Sequence, residues 1–327
     1  MSANKVPEPT VLSLAQLLAQ QPAATPAGWL EPGLLPPQGI LFVGGEPKVG
    51  KSLFVANLAL LLASGQERAG FSAPSARRVL VCQFELPTPQ FVSRLAIMRR
   101  ALGTGADHNL LVDTRSLGQL LSAPQGLNHF LAAARSASAE ILVLDPLYSA
   151  HDQDENDTRA MAALCQSLLR LRDACKVALI VVHHVRKSAG RDEIGRAFRG
   201  SSALHAVGDS YLLLARPSAY LLHAVEMRFQ FRYAAPQPAR LLQLDASTLW
   251  FSAAGLAPSN TATRAKVQTQ DVTKALQTLG RQTRYNQLRQ QLMELTACSK
   301  RTAQLAIREA CRNGLIVQAD GQYRLPL

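Results

Sequence analysis

Charge, aromatic residues and cysteine are all scarce in this chain. Of 327 residues, 18% are Asp, Glu, Lys or Arg and 6% are Phe, Trp or Tyr. With 47% apolar residues there is ample material for a buried core, which excludes global disorder. The five cysteines (Cys82, Cys165, Cys175, Cys298, Cys311) are an odd, scattered set with no Cys-x-x-Cys and no Cys/His pairing at zinc spacing. They give no disulfide framework and no structural metal; Cys82, Cys165 and Cys175 read as reduced core cysteines. The longest apolar runs, around Leu58–Ala63 and Ala178–Val182, fall well short of the ~20 residues that cross a bilayer. No N-terminal stretch reads as a signal peptide. No membrane role is expected, and the expected location is cytoplasmic.

What the chain does have is basic charge and a repeating strand–helix pattern. Lys and Arg number 35 against 23 Asp and Glu, a net charge of +12. Residues 1–28 are rich in Pro, Ala and Gln and read as a flexible lead-in, with one short helix at Ser13–Gln20 behind a Ser cap. Residues 29–257 alternate apolar runs (Ile40–Val43, Val79–Phe84, Ile141–Leu144, Val177–Val182, Tyr211–Leu214) with amphipathic helices such as Thr158–Cys175. Uninterrupted apolar strands separated by helices predict an α/β fold with a mostly parallel sheet covered on both faces. A polar linker, 258–270, leads to a small basic unit at 271–327.

Gly45-Glu46-Pro47-Lys48-Val49-Gly50-Lys51-Ser52 matches G-x-x-x-x-G-K-[ST] in full, between an apolar strand and a helix opening at Leu53. Such a loop turns successive backbone N–H groups inward as an anion nest at a helix N-terminus. The pattern predicts ATP, with Lys51 on the β- and γ-phosphates and the Ser52 hydroxyl on Mg²⁺. Asp145, closing the run Ile141–Leu144, is the second expected Mg²⁺ position. The residue after it is Pro146 rather than Glu, so the water-activating carboxylate must lie elsewhere. Glu85, just beyond Val79–Phe84, is the candidate base.

Together these residues resemble the RecA-like P-loop ATPases, in the branch of DnaB-type and RepA-like hexameric helicases. The resemblance spans Trp29 to Phe251. It includes Trp29-Leu30-Glu31-Pro32-Gly33-Leu34-Leu35-Pro36, the phosphate loop, Gln83-Phe84-Glu85 and Leu144-Asp145-Pro146-Leu147. It continues through Asp154-Glu155-Asn156-Asp157, His183-His184 and Arg199-Gly200-Ser201-Ser202. The resemblance implies a sensor of the γ-phosphate at His183 or His184, and an arginine finger at Arg199 reaching into a neighbouring subunit. A weaker counterpart is Arg228, as a second cross-subunit contact to the nucleotide. It further implies a ring, with hexamer expected, and a channel loop over 185–198 that touches single-stranded DNA through Lys187 and Arg191. Without further ligands at suitable spacing, the His pair makes a poor metal site.

Residues 261–327 carry 11 Lys/Arg against 4 Asp/Glu, so about +7 of the +12 lies in a fifth of the chain. Helices are expected at Asp271–Leu279, Tyr285–Leu295 and Lys300–Asn313, then a hairpin turning at 319–321. Three helices and a hairpin look like a winged helix, with Lys300, Arg301, Gln304, Arg308 and Arg312 set to meet duplex DNA, or a protein partner instead. The reading is an ATP-dependent DNA motor: a RepA-like replicative helicase of a plasmid, phage or mobile element, with a replication or recombination partner. Two alternatives stay open, a DNA-stimulated ATPase that loads or remodels a complex without unwinding, and an ATP-switched DNA-binding regulator.

Overall fold

The computed structural model describes residues 11–20, 28–185, 194, 198, 202–217, 223–256, 267, 269–280, 282–296, 298–319 and 321–326. The chain divides into two compact units, Met1–Ala257 and Pro258–Leu327. The first opens with α1 (Leu14–Ala19), where Ser13 Oγ accepts the Gln16 N–H and the Gln16 side chain accepts the Ser13 N–H. None of α1 is buried.

There follow β1 (Ile40–Gly45), α2 (Lys51–Ser64), a small hairpin of β2 (Glu67–Arg68) and β3 (Phe71–Ser72), and β4 (Val79–Gln83). Next come α3 (Thr88–Leu102), β5 (Leu110–Asp113), α4 (Pro124–Ser136), β6 (Ile141–Asp145) and α5 (Thr158–Cys175). The unit closes with β7 (Ala178–His184), α6 (Ser202–Val207), β8 (Ser210–Ala215), β9 (Ala224–Phe231), β10 (Arg240–Asp245) and β11 (Trp250–Leu256).

Nine strands form one sheet in the order β11-β10-β9-β8-β1-β7-β6-β4-β5. From β8 to β5 every neighbouring pair is parallel. The remaining pairs, β8 with β9, β9 with β10 and β10 with β11, are antiparallel. The expected apolar runs thus become five of the six parallel strands. The sixth, β5, is short and only half-buried, and gave no run to read.

Strand alternation sorts the core into two layers. Leu41, Val43, Val79, Val81, Ile141, Val143, Ile180 and Val182 face the layer that holds α2 and the α3 residues Phe91 and Met98. Ile40, Phe42, Leu80, Cys82, Leu142, Leu144, Leu179 and Val181 face the layer of α4 and α5. Helix α2 is buried around nearly its whole circumference, because β11 closes over its outer side. Asn57 fastens that closure: its Oδ1 accepts the Phe251 N–H at 2.9 Å and its Nδ2 donates to Leu249 O at 3.1 Å. Helix α5 spans the residues expected of it, capped by Asp157, whose carboxylate accepts the Arg159 and Ala160 N–H groups.

The second unit runs α7 (Thr269–Thr278), β12 (Gln282–Arg284), α8 (Tyr285–Thr296), α9 (Lys300–Arg312), β13 (Val317–Ala319) and β14 (Gln322–Arg324). The expected strand 322–325 becomes the middle of a three-stranded antiparallel sheet, β12-β14-β13. Strand β12 went unforeseen because Gln282-Thr283-Arg284 carries no apolar residue. Val272, Leu276, Leu288, Leu292, Ala303, Ile307 and Ile316 form a separate core.

Gly44 on β1 has no room for a side chain: a Cβ there would lie 2.4 Å from Cζ of the buried Phe198 ring. Gly44→Ala should therefore destabilise the first unit by about 1–3 kcal/mol in urea unfolding, with the second unit's transition unmoved.

Candidate nucleotide site

Because β1, β4, β6 and β7 are parallel, their C-terminal ends share one edge of the sheet. The register sets Gly45 opposite His184 and Gln83 opposite Asp145. Alternation then decides which side each end residue faces. Gln83, Asp145 and His184 continue the series Val79–Val81, Ile141–Val143 and Ile180–Val182, all of which face α2. Lys51 and Ser52 open α2 on that same side. Residues far apart in sequence are brought together by strand parity alone.

Lys51 is 5% exposed. Its Nζ donates to Gly45 O at 2.8 Å and Glu46 O at 2.9 Å, and lies 3.2 Å from His184 Nδ1. An ammonium has only hydrogens to give, so Nδ1 accepts and the imidazole proton sits on Nε2. Burial lowers the Lys51 pKa to about 8, opposed by the charges of Asp145, Glu85 and Glu46. Ser52 Oγ donates to Asp145 Oδ1 at 2.9 Å, and Gln83 Nε2 donates to Asp145 Oδ2 at 3.1 Å. Burial pushes Asp145 up to about 6, aided by the nearby Glu85 charge and opposed by the Ser52 and Gln83 hydrogen bonds and Lys51.

Glu85 lies two residues beyond β4, which ends at Gln83 rather than at Phe84. Its N–H donates to Gln83 Oε1 at 2.7 Å, as does that of Leu86 at 3.1 Å. Gln83 thus holds Asp145 with its amide nitrogen and the Glu85 turn with its oxygen. It was visible in the sequence only as part of Gln83-Phe84-Glu85, with no role of its own. The Glu85 carboxylate is exposed to the cleft, with Ser149 Oγ 3.5 Å away.

A cleft of about 330 Å³ is bounded by Lys48, Lys51, Ser52, Glu85, Arg94 and His184. Arg94, on α3, was not anticipated, since it belongs to no motif. Among the described residues, no acceptor engages the N–H groups of Lys48 to Leu53, and the first helical bond is Phe54 N–H to Gly50 O at 2.9 Å. Gly45 leaves no space for a Cβ, which would sit 2.5 Å from Leu214 O, and Gly50 has a φ of 102°. A row of free donors, a buried cation and a Ser–carboxylate pair are the groups that a phosphate chain with its divalent cation needs.

The other expected positions fall elsewhere. His183 is buried on the opposite face, its ring stacked on Phe198 at 6.2 Å and 25°. Among the described residues its Nδ1 has no hydrogen-bond partner, and it lies 3.9 Å from Glu155 Oε1. Burial lowers its pKa to about 4, helped by the neighbouring His184, His151 and Lys51. Arg228, on β9, does not line the cleft; its guanidinium bonds to Glu226 Oε1 at 2.6 Å. Glu46, whose carbonyl accepts from Lys51, and Pro47 do not border the cleft, and Val49 is buried in the core. Leu53 and Gly50 line the cleft, and Gly45 does not. Arg199, Lys187 and Arg191 lie outside the described residues. Among the described residues no group of His, Cys, Asp or Glu is arranged to hold a metal by itself. On α9, Lys300, Arg301, Arg308 and Arg312 are exposed and Gln304 is half-buried.

Residues 7–190 match the protein family described as an AAA domain. The chain belongs to that family. The AAA-domain core also resembles solved structures. It is similar to an ATPase domain solved on its own, with 14% identity and a TM-score of 0.52 over 66% of this chain and 84% of that one. It is likewise similar to a DnaB-like replicative helicase solved for its interactions with primase, with 14% identity and a TM-score of 0.51. That match covers 66% of this chain and 57% of the helicase. At this identity the likeness establishes a shared fold, the RecA-like P-loop α/β core. No curated protein matches the chain. No helix among the described residues is long and apolar enough to cross a membrane.

His183 offers a pH test of the buried face. Its folded pKa lies below the ordinary value, so between pH 6.5 and 4 the unfolded chain binds the extra proton and stability falls on acidification. Asp145, raised to about 6, contributes the opposite slope between about pH 4 and 6. Urea unfolding of wild type and His183→Asn should therefore diverge, the wild type losing more stability from pH 7 to pH 4.5, by up to about 3 kcal/mol.

Proposed function

We propose that this AAA-domain protein is an Mg²⁺-dependent ATP hydrolase that works as a DNA motor. The observation that carries this reading is the hydrogen-bonded chain Ser52–Asp145–Gln83–Glu85 beside Lys51. Through the Gln83 side chain it joins the Ser52–Asp145 pair to the backbone turn that carries a cleft-facing carboxylate. In this reading the N–H groups of Lys48 to Leu53 and the Lys51 ammonium bind the phosphates, and Ser52 with Asp145 holds Mg²⁺. The ion, when bound, supplies positive charge against the phosphate oxygens. Glu85 orients the attacking water and takes its proton, and Gln83 fixes the distance between Glu85 and Asp145. His184, in contact with Lys51, is the γ-phosphate sensor of the pair, while His183 packs on Phe198 and anchors the segment that follows β7.

Arg199, with Arg228 as a weaker partner, is assigned to the nucleotide site of a neighbouring subunit, so a ring, with hexamer expected, is part of the proposal. Lys187 and Arg191 are assigned to single-stranded DNA in the channel. The element order of the second unit, with three helices and a three-stranded sheet, supports reading it as a winged helix. The exposed Arg301, Arg308 and Arg312 on α9 support a duplex as its target. The finer assignment is a RepA-like replicative helicase of a plasmid, phage or mobile element, working with a replication or recombination partner. The basic α9 also favours a second reading, in which the protein loads or remodels a complex on DNA, or switches as a regulator, without unwinding.

Steady-state hydrolysis with and without single-stranded DNA tests the motor, Lys51→Ala serving as blank. DNA should stimulate the wild type at least about ten-fold; slow turnover indifferent to DNA favours the switch. Glu85→Gln should bind ATP normally and lose about 10²–10⁴-fold in kcat. A forked duplex left intact despite stimulated hydrolysis selects the loader over the helicase. For the second unit, Arg308→Ala should weaken duplex binding and lower the slope of log K against log salt by about 1.

A further inference from the structure

The phosphate loop carries a second lysine, and the structure treats it differently from Lys51. Lys48 has a φ of 61°, in the left-handed region that disfavours any residue with a Cβ. It has neither the freedom of glycine nor the short polar side chain with which Asn settles there. Lys176 adopts a similar φ of 55°, but there it terminates α5 and its N–H caps Arg172 O. No helix ends at Lys48. The left-handed turn here is part of the backbone arrangement that aims the loop's successive N–H groups inward as a nest, and a residue with a Cβ occupies it.

The side-chain contacts set the two lysines apart. The three hydrogens of the Lys51 ammonium already face three acceptors, namely Gly45 O, Glu46 O and His184 Nδ1. Lys48 is exposed, borders the same cleft, and makes no hydrogen bond or ion pair among the described residues. Its N–H is also the first of the unengaged donors that run to Leu53. The loop thus holds one cation committed to its own carbonyls and one whose charge is unspent.

We propose that Lys48 is a phosphate-contacting catalytic residue of the loop. Its ammonium meets the terminal phosphate of an incoming nucleoside triphosphate and stays on it while charge shifts during transfer, supplying from within the chain part of what an arginine from a neighbour supplies. This rests on reading the cleft as an ATP site. A contact to the terminal phosphate distinguishes triphosphate from diphosphate, and that distinction is what the test reads.

Calorimetric titration of the full chain with a non-hydrolysable ATP analogue and with ADP compares wild type, Lys48→Asn and Lys48→Arg. Lys48→Asn should bind the analogue about 10-fold more weakly and ADP within about 2-fold of wild type, Lys48→Arg recovering most of the loss. Its kcat should fall about 10- to 100-fold. Nucleotide-free Lys48→Asn should melt about 1–3 °C higher, because Asn tolerates the left-handed backbone. Equal losses for both nucleotides, no loss for either, or a lower melting temperature would overturn the proposal. Unchanged nucleotide binding with weakened single-stranded DNA binding would also overturn it, giving Lys48 to the polymer. Wild-type protein that binds neither nucleotide sinks the site reading and this proposal together. Wild-type binding abolished by Lys51→Ala, with Lys48→Asn indifferent, sinks this proposal alone.

Discussion

The structure of the core turns on keeping one nearly sealed ammonium charged. Desolvation works against that charge and lowers the Lys51 pKa to about 8. What holds the cation is a set of acceptors and carboxylates from four places: Gly45 and Glu46 after β1, His184 at the end of β7, Asp145 at the end of β6 and Glu85 beyond β4. Those ends reach one another only if the strands are parallel and in the observed register, with Gly45 opposite His184 and Gln83 opposite Asp145. The sheet order is therefore a condition of the electrostatics. An antiparallel β6 would carry Asp145 to the far edge and an antiparallel β7 would carry His184 there, taking from the buried cation a carboxylate or an acceptor. The antiparallel strands β9 to β11 are confined to the side of the sheet beyond β8, where no such residue is needed.

The two faces of the sheet divide the labour of the His pair. His184 faces α2 and the cleft, while His183 faces the α4–α5 layer and stacks on Phe198. Phe198 is fully buried against Phe42 and Tyr211 as well. Phe198 is thus packed against side chains of three neighbouring strands, β1, β7 and β8. Gly44 marks how tight that packing is, since the ring occupies the volume a Cβ would need.

Much of this was legible in the sequence, and the places where it was not have physical causes. The phosphate loop, Asp145, Glu85 and the limits of α5 are legible from patterns that act locally: a nest, an apolar run with its terminal carboxylate, a helical period. Gln83 was missed because its part is to bridge two elements, and a neutral amide at a strand end carries no signal of that. The roles of His183 and His184 were left open although the information was present. The alternation of Val177–Val182 already assigns them to opposite faces, and the phosphate-loop helix lies on the face of Ile180 and Val182. Strands β5 and β12 escaped for a different reason. They are edge strands of three or four residues with little buried surface, defined by their pairing rather than by their composition.

The second unit shows how a basic surface and a small core are made from one helix. On α9 the residues turned inward are Ala303, Ala306, Ile307 and Ala310, three of them alanines. Small inward side chains let α9 lie close on α7 and α8, so little apolar area is needed to hold it. The circumference left outside carries Lys300, Arg301, Arg308 and Arg312, with Leu305 at 57% exposure among them. No acidic partner neutralises these side chains with a salt bridge among the described residues, although the first unit pairs several of its arginines with carboxylates. One acid, Glu309, stands three residues before Arg312 at helical spacing, so the helix keeps a net charge of about +3. The charge left over repels itself along a single helix, a cost to folding that the duplex contact proposed above would offset.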